Sequence, residues 1–108
     1  MPYDYKLADR IRACTGELPE TFTEKKMFGG ITFLYQGLMT VGVVKDDLMV
    51  RVVNEKMETV LLSPYVRPMD FTGRILNEYI YVRPGGFDSN EELMKWVLTG
   101  LEHAKQKL

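Results

Sequence analysis

The sequence predicts an α+β fold of two layers, with helices covering one face of a mostly antiparallel five-stranded sheet. Apolar residues recur at helical spacing near both ends: Leu7, Ile11, Cys14 and Leu18 first, then Leu93, Trp96, Val97, Leu101 and Ala104. Between them, from Ile31 to Val52, the apolar period drops to two, the period of a strand with one buried face. The 108 residues are 45% apolar and 27% charged, an ordinary globular balance, and they suit a single domain over 1–108.

The first stripe makes an opening helix that stops near Gly16. Leu18-Pro19-Glu20-Thr21-Phe22 then reads as a connector, because proline lacks an amide donor and biases its predecessor toward extended backbone. Ile31, Phe33 and Tyr35, then Met39, Val41 and Val43, then Leu48, Val50 and Val52 give three successive strands. Gln36-Gly37 and Lys45-Asp46-Asp47 supply the turns of an antiparallel meander. The alternate positions, with Thr32, Thr40, Gly42 and Arg51 among them, are more polar, as in a sheet covered on one side.

Asn54 is placed to cap a short helix carrying Met57, Val60 and Leu61, which Ser63-Pro64 ends. A second hairpin-like unit spans Met69 to Val82. Phe71 lies on one arm, either Tyr79 and Tyr81 or Ile80 and Val82 face inward on the other, and Leu76-Asn77-Glu78 sit near the turn. Ser89 and Glu92 form a capping box that starts the last helix. The order is α-β-β-β-α-β-β-α, with no internal repeat, low-complexity tract or second domain.

Fourteen Lys and Arg against fifteen Asp and Glu leave no net positive field, which disfavours autonomous DNA binding. Arg51, Arg67, Arg74 and Arg83 are either scattered solvated residues or a local patch. Cys14, the single cysteine, allows no internal disulfide and suits a small buried position. The longest apolar runs fall far short of the ~18 residues of a membrane span, and no apolar signal core follows Met1, so the expected location is cytoplasmic.

Catalytic sets are missing. Gly29-Gly30 precedes a strand rather than a helix, so it marks a bulge or a close backbone approach and not a phosphate loop. Gly85-Gly86 has the strand-then-helix order, and Arg83 could add a positive charge, but Asp88 beside the cap would repel an anion. His103, the sole histidine, falls on the last turns of the last helix, where a solvated cation is expected. Asp46-Asp47 read as turn formers. Nothing requires a cofactor or a metal. Tyr35, Tyr79 and Tyr81 either pack under the helices or form an aromatic surface on the open sheet face beside Arg51 and Arg74, a pairing enriched at protein interfaces.

Lys25-Lys26-Met27-Phe28-Gly29-Gly30, Gly37-Leu38-Met39, Asp47-Leu48-Met49-Val50-Arg51-Val52, Arg67-Pro68-Met69-Asp70-Phe71-Thr72-Gly73-Arg74, Tyr81-Val82 and Trp96-Val97 closely resemble the N-terminal domain of the TfoX/Sxy competence-regulator family. The resemblance runs over nearly the whole chain and is to the stand-alone form, without the helical C-terminal domain of the longer regulators. It implies an α-β3-α-β2-α fold similar to secretion-chaperone-like domains and a bacterial, cytoplasmic protein. Longer members act with the cyclic-AMP receptor protein on DNA-uptake genes as coactivators rather than enzymes. The resemblance carries over no catalytic residue.

The expected function is therefore a non-enzymatic protein-interaction module associated with transcriptional regulation. Its expected partner is the cyclic-AMP receptor protein or RNA polymerase, and homodimerisation is open to it. The competing readings are an autonomous nucleic-acid-binding domain and a small-molecule or anion-binding domain using Arg83, Gly85 and Gly86.

Overall fold

The computed structural model describes residues 3–27, 29–71 and 73–108, with their side chains apart from those at 71 and 74–76. The elements run α1 (Tyr5–Gly16), β1 (Phe22–Met27), β2 (Gly30–Tyr35), β3 (Leu38–Val44), β4 (Asp47–Arg51), α2 (Asn54–Val60), β5 (Val66–Phe71), β6 (Arg74–Val82) and α3 (Asn90–Gln106). The strands form one antiparallel sheet in the order β1-β2-β3-β4-β6-β5. No described helix is long and apolar enough to cross a membrane.

The α+β class and its two layers hold, but the sheet has six strands rather than five. The additional strand is β1, which begins at Phe22, the last residue of the expected Leu18–Phe22 connector. Its sequence, FTEKKM, is mostly exposed, so no apolar alternation marks it. Backbone pairing with β2, from Phe22↔Tyr35 to Met27↔Gly30, makes it a strand instead. Arg12 of α1 reaches across to it, with Nε and Nη2 each donating to Glu24 at 2.8 Å. Lys25 and Lys26 are exposed on this edge, where charge discourages further strand pairing.

Gly30 shows why glycine opens β2. A Cβ at this position would run into the carbonyl of Val43 on β3, so the residue sits where two backbones approach closely. Gly29 before it has φ 74°, a left-handed conformation that favours glycine.

One face of the sheet meets the helices. Ile31, Phe33, Val41, Val43, Leu48, Val50, Val52, Ile80 and Val82 bury themselves against Leu7 and Ile11 of α1 and Leu93, Trp96 and Val97 of α3. This decides the alternative on the last strand: Ile80 and Val82 point to the helices, and Tyr79 and Tyr81 to the opposite side. There Met49, Met69 and Tyr81 form a smaller buried cluster, with Met39, Val44 and Tyr79 packed around it.

Two irregularities shape the ends of this sheet. Between β2 and β3 the register shifts by one at Thr40, whose hydroxyl donates to Phe33 O at 2.8 Å. Between β5 and β6 it jumps from Pro68↔Ile80 to Asp70↔Ile75, so four residues of β6 stand opposite Met69 alone. Six residues of β5 face nine of β6, and the bulge absorbs the excess. Residues 76–78, expected near the turn, therefore lie inside β6, and the hairpin closes between Phe71 and Arg74.

The capping box of α3 forms as expected, with Ser89 Oγ accepting from Glu92 N at 3.1 Å and Glu92 accepting from Ser89 N at 3.1 Å. Asn54 does not cap α2. It is the first helical residue, after Val53 at the cap position, and the helix ends at Val60 before Ser63.

Candidate functional site on the helix-free face of the sheet

Tyr79 and Tyr81 lie two residues apart on β6, so both project from the face without helices. Each meets an arginine from a different neighbouring strand. Arg51 of β4 stands opposite Tyr79 in the register; its guanidinium lies 4.1 Å from the ring centroid, and Nη1 donates to the phenol oxygen at 2.9 Å. Arg67 of β5 stands opposite Tyr81, 4.7 Å from that centroid, and donates to Asp47 at 2.8 Å. A cation over an aromatic face gains from the ring quadrupole, more so where water is partly excluded.

The support beneath this pair of stacks is apolar and soft. Tyr79 Oη is 4.0 Å from Met39 Sδ, while Met49 and Met69 pack under Tyr81. Burial pushes the Tyr81 phenol upward, with Arg67 acting in the opposite sense.

Arg51 also touches the end of α3. Its Nη2 lies 3.1 Å from His103 Nε2, and that same nitrogen lies 3.3 Å from Glu78 Oε1. Arg51 Nη2 and Glu78 Oε1 are 3.7 Å apart. The His103 side chain is only 3% exposed, so the solvated cation expected at a helix end is replaced by a buried ring. The reason is tertiary: α3 packs on β3 and β4, and the bulge in β6 brings Glu78 within reach of the ring. Glu78 has φ 66°, and its carbonyl accepts from Val52 N at 3.0 Å.

Burial pushes the imidazole below its ordinary pKa, with the Glu78 hydrogen bond opposing and Arg51 reinforcing the shift. The contact with His103 holds the Glu78 carboxyl below the usual carboxylate range. Arg51 Nε is buried without a hydrogen-bond partner among the described residues.

The sequence matches the TfoX N-terminal domain over residues 16–104. The chain belongs to the TfoX N-terminal domain family. The matched span includes all six strands, both arginine–tyrosine pairs and the Arg51–Glu78–His103 cluster of this TfoX N-terminal domain. A comparison with curated proteins returned no match.

The other sequence-predicted residues of this TfoX N-terminal domain lie apart. Tyr35 pairs with Phe22, ring centroids 6.1 Å apart, and Phe22 packs against the helix-side core, so Tyr35 is on the opposite face from Tyr79 and Tyr81. Arg74 opens β6 opposite Phe71, but its side chain lies outside the described residues. Arg83 lies over Tyr65, 5.6 Å from the ring centroid.

Gly85 N donates to Asp88 Oδ1 at 3.2 Å, so a carboxylate of the chain itself takes the amide considered for an anion. Gly86 O accepts from Trp96 Nε1 at 2.9 Å, and Arg10 donates to Phe87 O at 2.8 Å and Asp88 O at 3.1 Å. A groove of about 1100 Å³ between α1 and α3, lined by Ala13, Cys14, Met94 and Leu98 among others, lies in the helix layer and shares no residue with the arginine–tyrosine stacks.

Arg67, Met39, Glu78 and His103 were not among the sequence-predicted site residues. Arg67 had a signal, since it opens the motif Arg67-Pro68-Met69-Asp70-Phe71-Thr72-Gly73-Arg74. Its pairing with Tyr81 depends on the strand register.

Proposed function

We propose that this TfoX N-terminal domain is a non-enzymatic protein-interaction module associated with transcriptional regulation, and that it binds through the helix-free sheet face. The observation that carries this reading is the pair of arginine–tyrosine stacks, Arg51 on Tyr79 and Arg67 on Tyr81, over methionines. Tyrosine, arginine and methionine are the side chains enriched at protein interfaces, and hot spots concentrate in the first two. Each arginine already has an acid beside it, Glu78 for Arg51 and Asp47 for Arg67. A surface whose cations are internally balanced gains little from displacing counterions on a phosphate backbone, which favours a protein partner over nucleic acid.

Family membership supports the regulatory setting, and the partners proposed are the cyclic-AMP receptor protein and RNA polymerase. Binding of each purified partner to the immobilised domain tests the surface. Arg51→Met and Tyr79→Ala are each expected to weaken binding at least tenfold, with circular dichroism unchanged, while Tyr35→Ala on the other face leaves it intact. Equal binding by all three variants would sink the proposal. Arg74→Glu tests whether the hairpin end of β6 belongs to the same surface.

A further inference from the structure

His103 Nε2 faces two groups with opposite demands. Arg51 Nη2, at 3.1 Å, can only donate; Glu78 Oε1, at 3.3 Å, accepts when ionised. One ring nitrogen cannot serve both. As a lone pair it accepts from Arg51 and faces the Glu78 oxygen unpaired; as N–H it donates to Glu78 and faces the Arg51 donors. The charged groups around the ring are Glu78 from β6, Arg51 from β4 and Lys107 just beyond its own helix. Protonating His103 therefore puts a second cation beside Arg51, with Glu78 as the one carboxylate among these groups to balance them.

The two cations differ in freedom. His103 is 3% exposed on a packed helix, whereas the Arg51 side chain is 20% exposed and reaches the surface. Arg51 Nε has no partner among the described residues in its buried position, so outward rotation would hydrate a donor that they leave unserved. Its departure gives up the Tyr79 hydrogen bond and the stack.

We propose that His103 is a proton-operated latch on Arg51: the neutral ring keeps the guanidinium stacked on Tyr79, and the imidazolium expels it to solvent. On the sheet-face reading above, release breaks one of the two stacks and frees a cation for an acidic partner group. The latch itself does not depend on that reading.

Nuclear magnetic resonance of the isotope-labelled full chain between pH 8 and pH 5 tests it without any partner. Tyr79 ring current should shift the Arg51 Hδ and Hε signals upfield at pH 8. They should move to unstacked positions with the same midpoint as the His103 ring nitrogens, while the amide dispersion of the fold persists. In His103→Gln, whose side chain does not titrate, they should stay shifted throughout.

Arg51 signals that remain shifted after His103 has titrated would overturn the latch. So would an Arg51 transition that survives in His103→Gln, or amide dispersion lost at the His103 midpoint, since protonation would then accompany unfolding. A failed latch would leave the binding tests of Tyr79→Ala unaffected, so the two readings fall separately.

Discussion

His103 and Arg51, 52 positions apart in the chain, meet at 3.1 Å where the end of α3 crosses β4. The histidine sits out of water and beside a guanidinium, which together disfavour its charge, while Glu78 opposes them. Folded-state stability should therefore respond to pH. The folded value lies below the unfolded one of about 6.5, so the unfolded chain binds more protons in between. Stability is complete above that range and falls as pH drops toward the lowered folded value. Urea unfolding at pH 8 and pH 5.5 should show the loss, and His103→Gln should reduce it. An equal loss in both proteins would assign it to other groups.

Glu78 contributes at lower pH. Its folded value is depressed, so its contribution is present above about 4.3 and disappears as pH falls through the depressed value. Glu78→Gln should flatten the acid limb of the stability profile below pH 4.5 relative to the unsubstituted chain.

Gly100 of α3 rests on the backbone of Thr40, the bulged residue of β3, and a Cβ there would meet the Thr40 carbonyl. Gly100→Ala should cost about 1–3 kcal/mol, because helix and sheet must separate, which outweighs the helix propensity gained. Gly16, also helical, has open space at the same position. Gly16→Ala should be neutral or stabilising by up to about 1 kcal/mol. Equilibrium urea curves should show the loss in Gly100→Ala and none in Gly16→Ala, and equal stability of the two variants would overturn the prediction.

Ser89→Ala removes the hydroxyl that serves the Glu92 amide at the start of α3. The expected cost is about 1 kcal/mol, visible as a lower unfolding midpoint with an unchanged slope.

Arg10 ties α1 to the loop before α3 through the carbonyls of Phe87 and Asp88, and Trp96 reaches the same loop at Gly86. Arg10→Ala should destabilise by roughly 1–3 kcal/mol, since charged donors to carbonyls are lost. Trp96 is the only tryptophan, so its fluorescence reports the loop directly. A native-state emission shift in Arg10→Ala would show local loosening, and an unchanged spectrum with lowered stability would show only global loss.

Much of this architecture was legible before folding. The stripes of α1 and α3, the alternation of β2 and β4, and the Ser89–Glu92 cap are local patterns, because each residue's burial is set by the period of its own element, whereas in β3 the Thr40 bulge turns Met39 to the face opposite Val41 and Val43. Of the candidate site, Arg51, Tyr79 and Tyr81 were legible as residue types at strand spacing. What remained hidden needed a partner distant in sequence. β1 carries no apolar alternation and exists by backbone pairing with β2, a bond that every sequence except proline can make. The placement of Tyr35 away from Tyr79 and Tyr81 required knowing which face α1 and α3 cover. Arg67 became a site residue through the β5–β6 register, and His103 changed from a solvated helix end to a buried ring through the Glu78 bulge. The amino-acid sequence by itself determined the periodic elements and the inward faces of α1, α3, β2 and β4, since periodicity is a one-dimensional property. Only the tertiary structure decided which charges meet, since a side chain's partner and its exposure to water depend on chain crossings that no local window contains.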